Sequence, residues 1–186
     1  PEDGELYQFS FGSRGNRIEA VPAVVSDPGW RLVFVPAANK AGARAGTILF
    51  TLANEIGDSS PAIVFINLES VNDPPVFVAG PNPSVPEDAG PQIVSGWASE
   101  VRAGPLDEIR QTLTFRVTND RGTLFRQGPA IDEAGNLTYT TAPDAHGTAT
   151  VRVELKDNGG TARGGLDISP PQTFTISVTP VNDAPV

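Results

Sequence analysis

The chain has 186 residues, 39% of them hydrophobic, which is enough for one or two domains with cores of their own. A net charge of −9 argues against partners such as nucleic acid or anionic membranes, and no apolar run is long enough to insert into a membrane as a helix. Cysteine is absent, which excludes disulfides and thiolate metal sites, while the excess of carboxylates suits either divalent cations or plain solubility.

Apolar and polar residues alternate with a period of two along the chain, a pattern that predicts β-strands. In chain order, strands are predicted at 47–52, 64–68, 112–118, 150–156 and 173–179. Gly and Pro, 19 and 18 residues, fall between these stretches and predict turns. The last three strands have one polar and one apolar face, which is typical of antiparallel sheets stacked into a sandwich. Their apolar faces consist, strand by strand, of Leu113, Phe115 and Val117, of Val151, Val153 and Leu155, and of Phe174, Ile176 and Val178.

The segment VNDPPV at 71–76 returns as VNDAPV at 181–186, which is an offset of 110 residues. We therefore predict two tandem modules, residues 1–73 and residues 74–186. One alignment places Glu2 on Glu108, so that the first module lacks its first strands and exposes an unpaired sheet edge. A second alignment places residues 1–3 on 86–88 and makes the first module short but whole. The first alignment allows a weak edge-paired dimer, whereas otherwise we expect a monomer.

Several segments of the second module carry a family resemblance: APDAHGTATV at 142–151, LKDNGG at 155–160 and PQTFTISVTPVNDAPV at 171–186. They resemble the cadherin-like, immunoglobulin-like tandem repeats of large bacterial surface and secreted (adhesin-type) proteins. The resemblance implies an all-β fold of tandem Greek-key β-sandwich modules with about seven strands in each complete module. It also implies an extracellular location and neighbouring repeats of the same polypeptide as partners.

Cadherins bind calcium at the joints between modules, and the resemblance implies a site of that kind here. Calcium is bound by six to eight oxygens from carboxylates, amides and backbone carbonyls. The implied ligands are Asn72 and Asp73 in the linker, Asp107 and Glu108 in a loop, and Asp157 at the end of the penultimate strand. A second interpretation stays open, because Asn-Asp-Pro also forms turns without any metal.

The same resemblance implies half of a calcium site at the far end of the second module. Its ligands would be Glu87, Asp144, Asn182 and Asp183. A following repeat would complete it.

The remaining candidates predict no catalysis. His146 is the only histidine and lies in a loop, so we interpret it as a solvated turn residue and expect no enzyme activity. Trp30 alternates with Leu32 and Phe34, which predicts a core position rather than a sugar platform. Trp97 is predicted to lie in the core as well.

Three functions follow from the sequence. The first is an extracellular spacer or adhesion repeat that calcium stiffens at the joint. The second is a binding module that recognises a cell-surface glycan or protein through loops such as 158–171, which is long and rich in Gly. The third is a non-catalytic accessory domain of a secreted enzyme.

Overall fold

The computed structural model describes residues 4–182 of the chain. The chain divides into two compact units, Pro1–Ser70 and Val71–Val186. Regular structure in the described range consists of strands and short 3₁₀ turns, which confirms the predicted all-β fold. No helix within residues 4–182 is long and apolar enough to cross a membrane.

The first unit is built from short antiparallel sheets. β1 lies between β2 and β3, β4 pairs with β7, and β5 pairs with β6. The strands are β1 (Gly4–Ser10), β2 (Ser13–Arg17), β3 (Leu32–Pro36), β4 (Gly42–Phe50), β5 (Ala53–Asn54), β6 (Gly57–Asp58) and β7 (Ala62–Leu68).

Apolar side chains of the first unit are largely exposed. Ile63, Val64 and Phe65 follow one another in β7, so they lie on both faces of the β4–β7 ribbon, and all three are exposed. Within the described residues, β4 and β7 pair only with each other. Their outer edges therefore present unpaired backbone groups, which is the feature on which an edge-paired dimer would depend.

Trp30 is 69% exposed, so the prediction that it lies in the core was wrong. It closes a turn in which its N–H donates to the carbonyl of Asp27 at 2.9 Å. Its φ of 59° is left-handed, and β3 begins only at Leu32. The alternation that predicted a core position therefore does not extend back to Trp30.

The second unit contains two larger sheets, with strand orders β10-β14-β13 and β12-β15-β16-β9, and a ribbon of β8 and β11. Its strands are β8 (Val76–Val78), β9 (Ser84–Pro86), β10 (Pro91–Val94), β11 (Ser99–Arg102), β12 (Thr114–Asn119), β13 (Phe125–Ile131), β14 (Leu137–Thr141), β15 (Gly147–Lys156) and β16 (Gln172–Thr179). The 3₁₀ turns in this unit are Leu106–Glu108, Gly122–Leu124 and Ala162–Gly164.

One hydrophobic core joins the two sheets of the second unit. Leu137 and Tyr139 of β14 belong to the same buried cluster as Val151, Val153 and Leu155 of β15. Each valine or leucine side chain of this cluster adds about 1.5–3 kcal/mol to the free energy of unfolding when it is fully buried.

The predicted strand faces agree with this packing. The apolar faces of the strands predicted at 150–156 and 173–179 are buried, and that of 112–118 packs against the core, so these three predictions are confirmed. Trp97 is also confirmed as a core residue. Its ring lies 4.3 Å from that of Phe174, and its indole N–H donates to the carbonyl of Pro81.

The pairing of β1 bears on the two alignments of the first module. β1 pairs antiparallel with β3, from Gly4 opposite Pro36 to Gln8 opposite Leu32. In the second unit, β10 pairs antiparallel with β14. Under the alignment of residues 1–3 with 86–88, β1 is the counterpart of β10, and each of these strands pairs antiparallel with a later strand of its own unit. Which of the two alignments holds stays a prediction.

Candidate functional site

Asn72 is the centre of a hydrogen-bond network at the start of the second unit. Its carbonyl accepts from the N–H of Leu166 at 2.9 Å, and its Nδ2 donates to the carbonyl of Leu166 at 2.6 Å. Nδ2 also donates to Asp157 Oδ1 at 3.0 Å, and Oδ1 accepts from Gln111 Nε2 at 2.7 Å. Asn72 therefore fastens the linker to the loop after β15, and its side-chain oxygen is already engaged.

Glu108 lies at the end of the 3₁₀ turn Leu106–Glu108 and is 4% exposed. Its Oε1 accepts from the backbone N–H of Asp73 at 2.9 Å, which ties the turn to the linker. Its Oε2 is buried and has no hydrogen-bond partner in the described part of the chain. Gly104 makes this position possible, because a methyl group on Gly104 would overlap Oε2.

The electrostatic surroundings of Glu108 disfavour its negative charge. Burial raises the pKa of its carboxyl, and the charges of Asp73, Asp107 and Asp157 raise it further, while the hydrogen bond from Asp73 acts in the opposite direction. A cation placed beside Glu108 would remove this penalty, because it favours the ionised form.

Asp157 follows the last residue of β15 and is 2% exposed. Besides Asn72, its Oδ1 accepts from the backbone N–H of Gly159 at 2.9 Å. Its Oδ2 is buried, and no partner for it lies among residues 4–182. β12 pairs with β15 up to Thr114 opposite Lys156, a register that brings the residues just before β12 alongside Asp157.

Gln111 belongs to the same network and was missed by the sequence analysis. Its backbone N–H donates to the carbonyl of Glu108 at 2.9 Å, and its side-chain nitrogen is held by Asn72. Its Oε1 is buried without a hydrogen-bond partner in the described residues. Glutamine is uncharged, so a search for acidic ligand residues does not find Gln111. Its position three residues after Glu108 is the one sequence feature that indicates a place in this network.

The five predicted ligand residues are therefore brought together to different degrees. Asn72 is hydrogen-bonded to Asp157, and the backbone of Asp73 is hydrogen-bonded to Glu108. Asp107 is exposed, and its charge raises the pKa of Glu108. Within residues 4–182, no three His, Cys, Asp or Glu side chains are grouped so as to hold a metal ion. A cation here would need neutral oxygens beside the two buried carboxylates, and such oxygens are common ligands of calcium.

The far end of the second unit carries a related contact. Glu87 is buried, and its Oε1 accepts from the backbone N–H of Val181 at 2.7 Å. His146 is exposed, with its Nδ1 3.4 Å from Glu87 Oε2. The backbone N–H of Asp144 donates to Asp88 at 3.3 Å. Asp183, predicted as a ligand of this half-site, lies outside the described residues.

The comparisons with known proteins concern this second unit. Residues 72–169, slightly more than half of the chain, match the model of the bacterial Ig domain family. A search of curated proteins found no match. The match begins at Asn72 and covers the segments that form the hydrogen-bond network described above. The chain belongs to the bacterial Ig domain family.

Proposed function

We propose that the chain is a spacer or adhesion repeat of a larger secreted or surface protein, and that its second unit binds one calcium ion where the linker enters the fold. One observation carries the proposal. Glu108 and Asp157 are both buried carboxylates, each has an oxygen without a partner among the described residues, and each is hydrogen-bonded to the linker. A buried and unpaired carboxylate oxygen is costly, and a cation offsets that cost.

Calcium bound here would act on the linker as well as on the core. Asn72 and Asp73 are fixed to Asp157 and Glu108, so an ion that holds the two carboxylates also holds residues 72–73 against the unit. Pro74 and Pro75 restrict the next two residues of the linker. The expected result is a shorter free segment between successive repeats, as a spacer requires.

An extracellular location is part of the same proposal. Extracellular calcium modules typically have dissociation constants of about 10⁻⁴–10⁻³ M, and two carboxylates with neutral oxygens fit that weak range. Neighbouring repeats of the same polypeptide are the proposed partners. We expect no catalytic activity from this chain.

Calorimetry in EDTA and in about 2 mM calcium tests the proposal. The second unit is expected to melt at a higher temperature in calcium, because an ion that binds only the folded state stabilises it. Asp157→Asn should abolish the shift. Glu133→Gln, which removes an exposed carboxylate from the turn between β13 and β14, is the matched control and should keep the shift. Superimposable melts of the wild-type protein would leave residues 72–74 as a turn alone.

A second candidate function has one specific observation in its favour. Trp30 is exposed instead of buried, and an exposed indole is a common platform for sugar rings. Binding of the chain to a glycan array that Trp30→Ala abolishes would support a carbohydrate-binding module. Ile56→Ala, also at an exposed apolar position, is the control. Binding unaffected by Trp30→Ala would contradict this candidate.

The sequence that surrounds this chain in its parent protein separates the spacer from an accessory domain. Further Val-Asn-Asp-x-Pro repeats on either side support the spacer. A neighbouring catalytic domain would instead support a non-catalytic accessory role in a secreted enzyme.

A further inference from the structure

The side-chain amide of Gln111 is held in one orientation. Its Nε2 donates to Asn72 Oδ1 at 2.7 Å, and this requires the other amide atom, Oε1, to point away from Asn72. The assignment of Asn72 supports it, because Asn72 Nδ2 faces two acceptors, Asp157 Oδ1 and the carbonyl of Leu166. Gln111 Oε1 is consequently presented as a fixed acceptor.

No donor for this fixed acceptor lies within residues 4–182. Gln111 Oε1 is buried and without a hydrogen-bond partner among the described residues. Gln172 shows what a purely structural glutamine looks like in the same unit: its Oε1 accepts from Ala79 N–H at 3.3 Å, and its Nε2 donates to the carbonyl of Phe77 at 2.8 Å. Buried amides in proteins are normally satisfied in this way.

Gln111 Oε1 shares this condition with the two buried carboxylates. Among the described residues, the unpaired buried oxygens of the network are those of Glu108, Gln111 and Asp157. Gln111 is hydrogen-bonded to the carbonyl of Glu108, and Asn72 is hydrogen-bonded to both Gln111 and Asp157. All three are acceptors. A hydrogen-bond donor group of the chain would satisfy one of them, whereas a cation bound by all three residues would satisfy all three.

We propose that Gln111 is a ligand of the calcium ion and supplies a neutral oxygen, Oε1, beside Glu108 and Asp157. The inference rests on the proposed function. Because Gln111 is neutral, the two carboxylates of Glu108 and Asp157 balance the charge of one divalent cation. Asn72 is then a positioning residue, because it orients both Gln111 and Asp157 and offers no free side-chain oxygen of its own.

Isothermal titration of the whole chain with calcium, using Gln111→Met and Gln111→Glu, tests this role. Methionine keeps the length of the side chain but has no oxygen ligand, so we expect the dissociation constant to rise roughly 10- to 100-fold. Glutamate keeps an oxygen and loses the donor to Asn72, so calcium should still bind at least as tightly as in the wild type. Gln172→Met, the matched control, should leave the affinity unchanged.

The outcomes separate this inference from the proposed function. If the wild type binds and both Gln111 variants weaken binding equally, Gln111 serves only to anchor Asn72, and the inference is overturned alone. Unchanged affinity in Gln111→Met overturns it as well. If the wild type binds no calcium, both the proposed function and the inference fail.

Discussion

Replacement of Glu108 by glutamine is expected to have opposite effects on stability without and with calcium. The carboxylate is 4% exposed, accepts one hydrogen bond and has one oxygen without a partner in residues 4–182. Glutamine keeps an oxygen for the Asp73 N–H and carries no charge. Without calcium, Glu108→Gln therefore removes the cost of a buried charge and should raise the free energy of unfolding.

The magnitude follows from the contacts. An unsatisfied buried polar group costs about 1–3 kcal/mol, and more when it is charged. Glutamine removes only the part due to the charge, because its amide nitrogen is itself a buried polar group, and the hydrogen bond from Asp73 becomes weaker with a neutral acceptor. The net increase in EDTA is on the order of 1 kcal/mol, or about 4 °C in melting temperature. Calcium at about 2 mM, roughly 2 to 20 times a dissociation constant of 10⁻⁴–10⁻³ M, stabilises the wild type by about 0.7–1.8 kcal/mol, and the variant should lose most of this increment.

The pH dependence gives a further check on the same variant. The pKa of Glu108 is raised in the folded state above its usual value of 4.5, so the folded state binds the proton more tightly than the unfolded chain. The associated stability is fully present below the usual value and is lost as pH rises through the raised pKa. In EDTA, the advantage of Glu108→Gln over the wild type should therefore be present at pH 7.5 and disappear near pH 4.

Calorimetry at both pH values, in EDTA and in calcium, measures these differences. Glu133→Gln is the control and should match the wild type in each condition. A lower melting temperature for Glu108→Gln in EDTA at pH 7.5 would refute the reasoning, because the buried charge would then not be a cost.

Three further predictions concern packing in the two units. Gly159→Ala should lower the free energy of unfolding by about 1–3 kcal/mol, because the added methyl group overlaps the side-chain oxygen of Asn72. Urea unfolding measures the loss. Gly122→Ala is the control, because a methyl group there has no atom within 4 Å. Leu155→Ala should lower the free energy of unfolding by about 2–5 kcal/mol, because Leu155 is fully buried. Leu49 is 64% exposed, so Leu49→Ala should change that free energy by no more than about 0.5 kcal/mol. Equal losses in calorimetry would contradict the packing described. Tyr139→Phe should raise the melting temperature slightly or leave it unchanged, because the Tyr139 hydroxyl is buried without a partner in the described residues, and a loss above about 1 kcal/mol would show that the hydroxyl is in fact bonded.

The sequence predicts the second unit better than the first, for a physical reason. Period-two alternation reports a strand with one face on a core, and β15 and β16 have that environment. β7 carries the same alternation, yet apolar residues on both of its faces are exposed. Alternation therefore predicted the strand at 64–68, which the structure extends to Ala62–Leu68, but not whether a second sheet covers it.

At the candidate site, the sequence indicated which residues meet but not how their atoms are used. Asp157 and Glu108 follow from the resemblance, and the structure places them on the linker through Asn72 and Asp73. The orientation of an amide depends on partners that are distant in sequence: Gln111 lies 39 residues and Leu166 lies 94 residues from Asn72. Spacing and charge carry no information on such contacts.

The turn and the calcium interpretations of the linker are now separable, because they account for different atoms. A turn accounts fully for Asn72, whose side-chain amide and carbonyl all have partners within the unit. It gives no reason for a buried Glu108 or Asp157 oxygen that accepts from nothing in the described residues. Substitution of Asn72 would disturb either arrangement and so discriminates poorly. Substitution of Glu108 or Asp157 discriminates well, since only the calcium interpretation makes their unpaired oxygens useful.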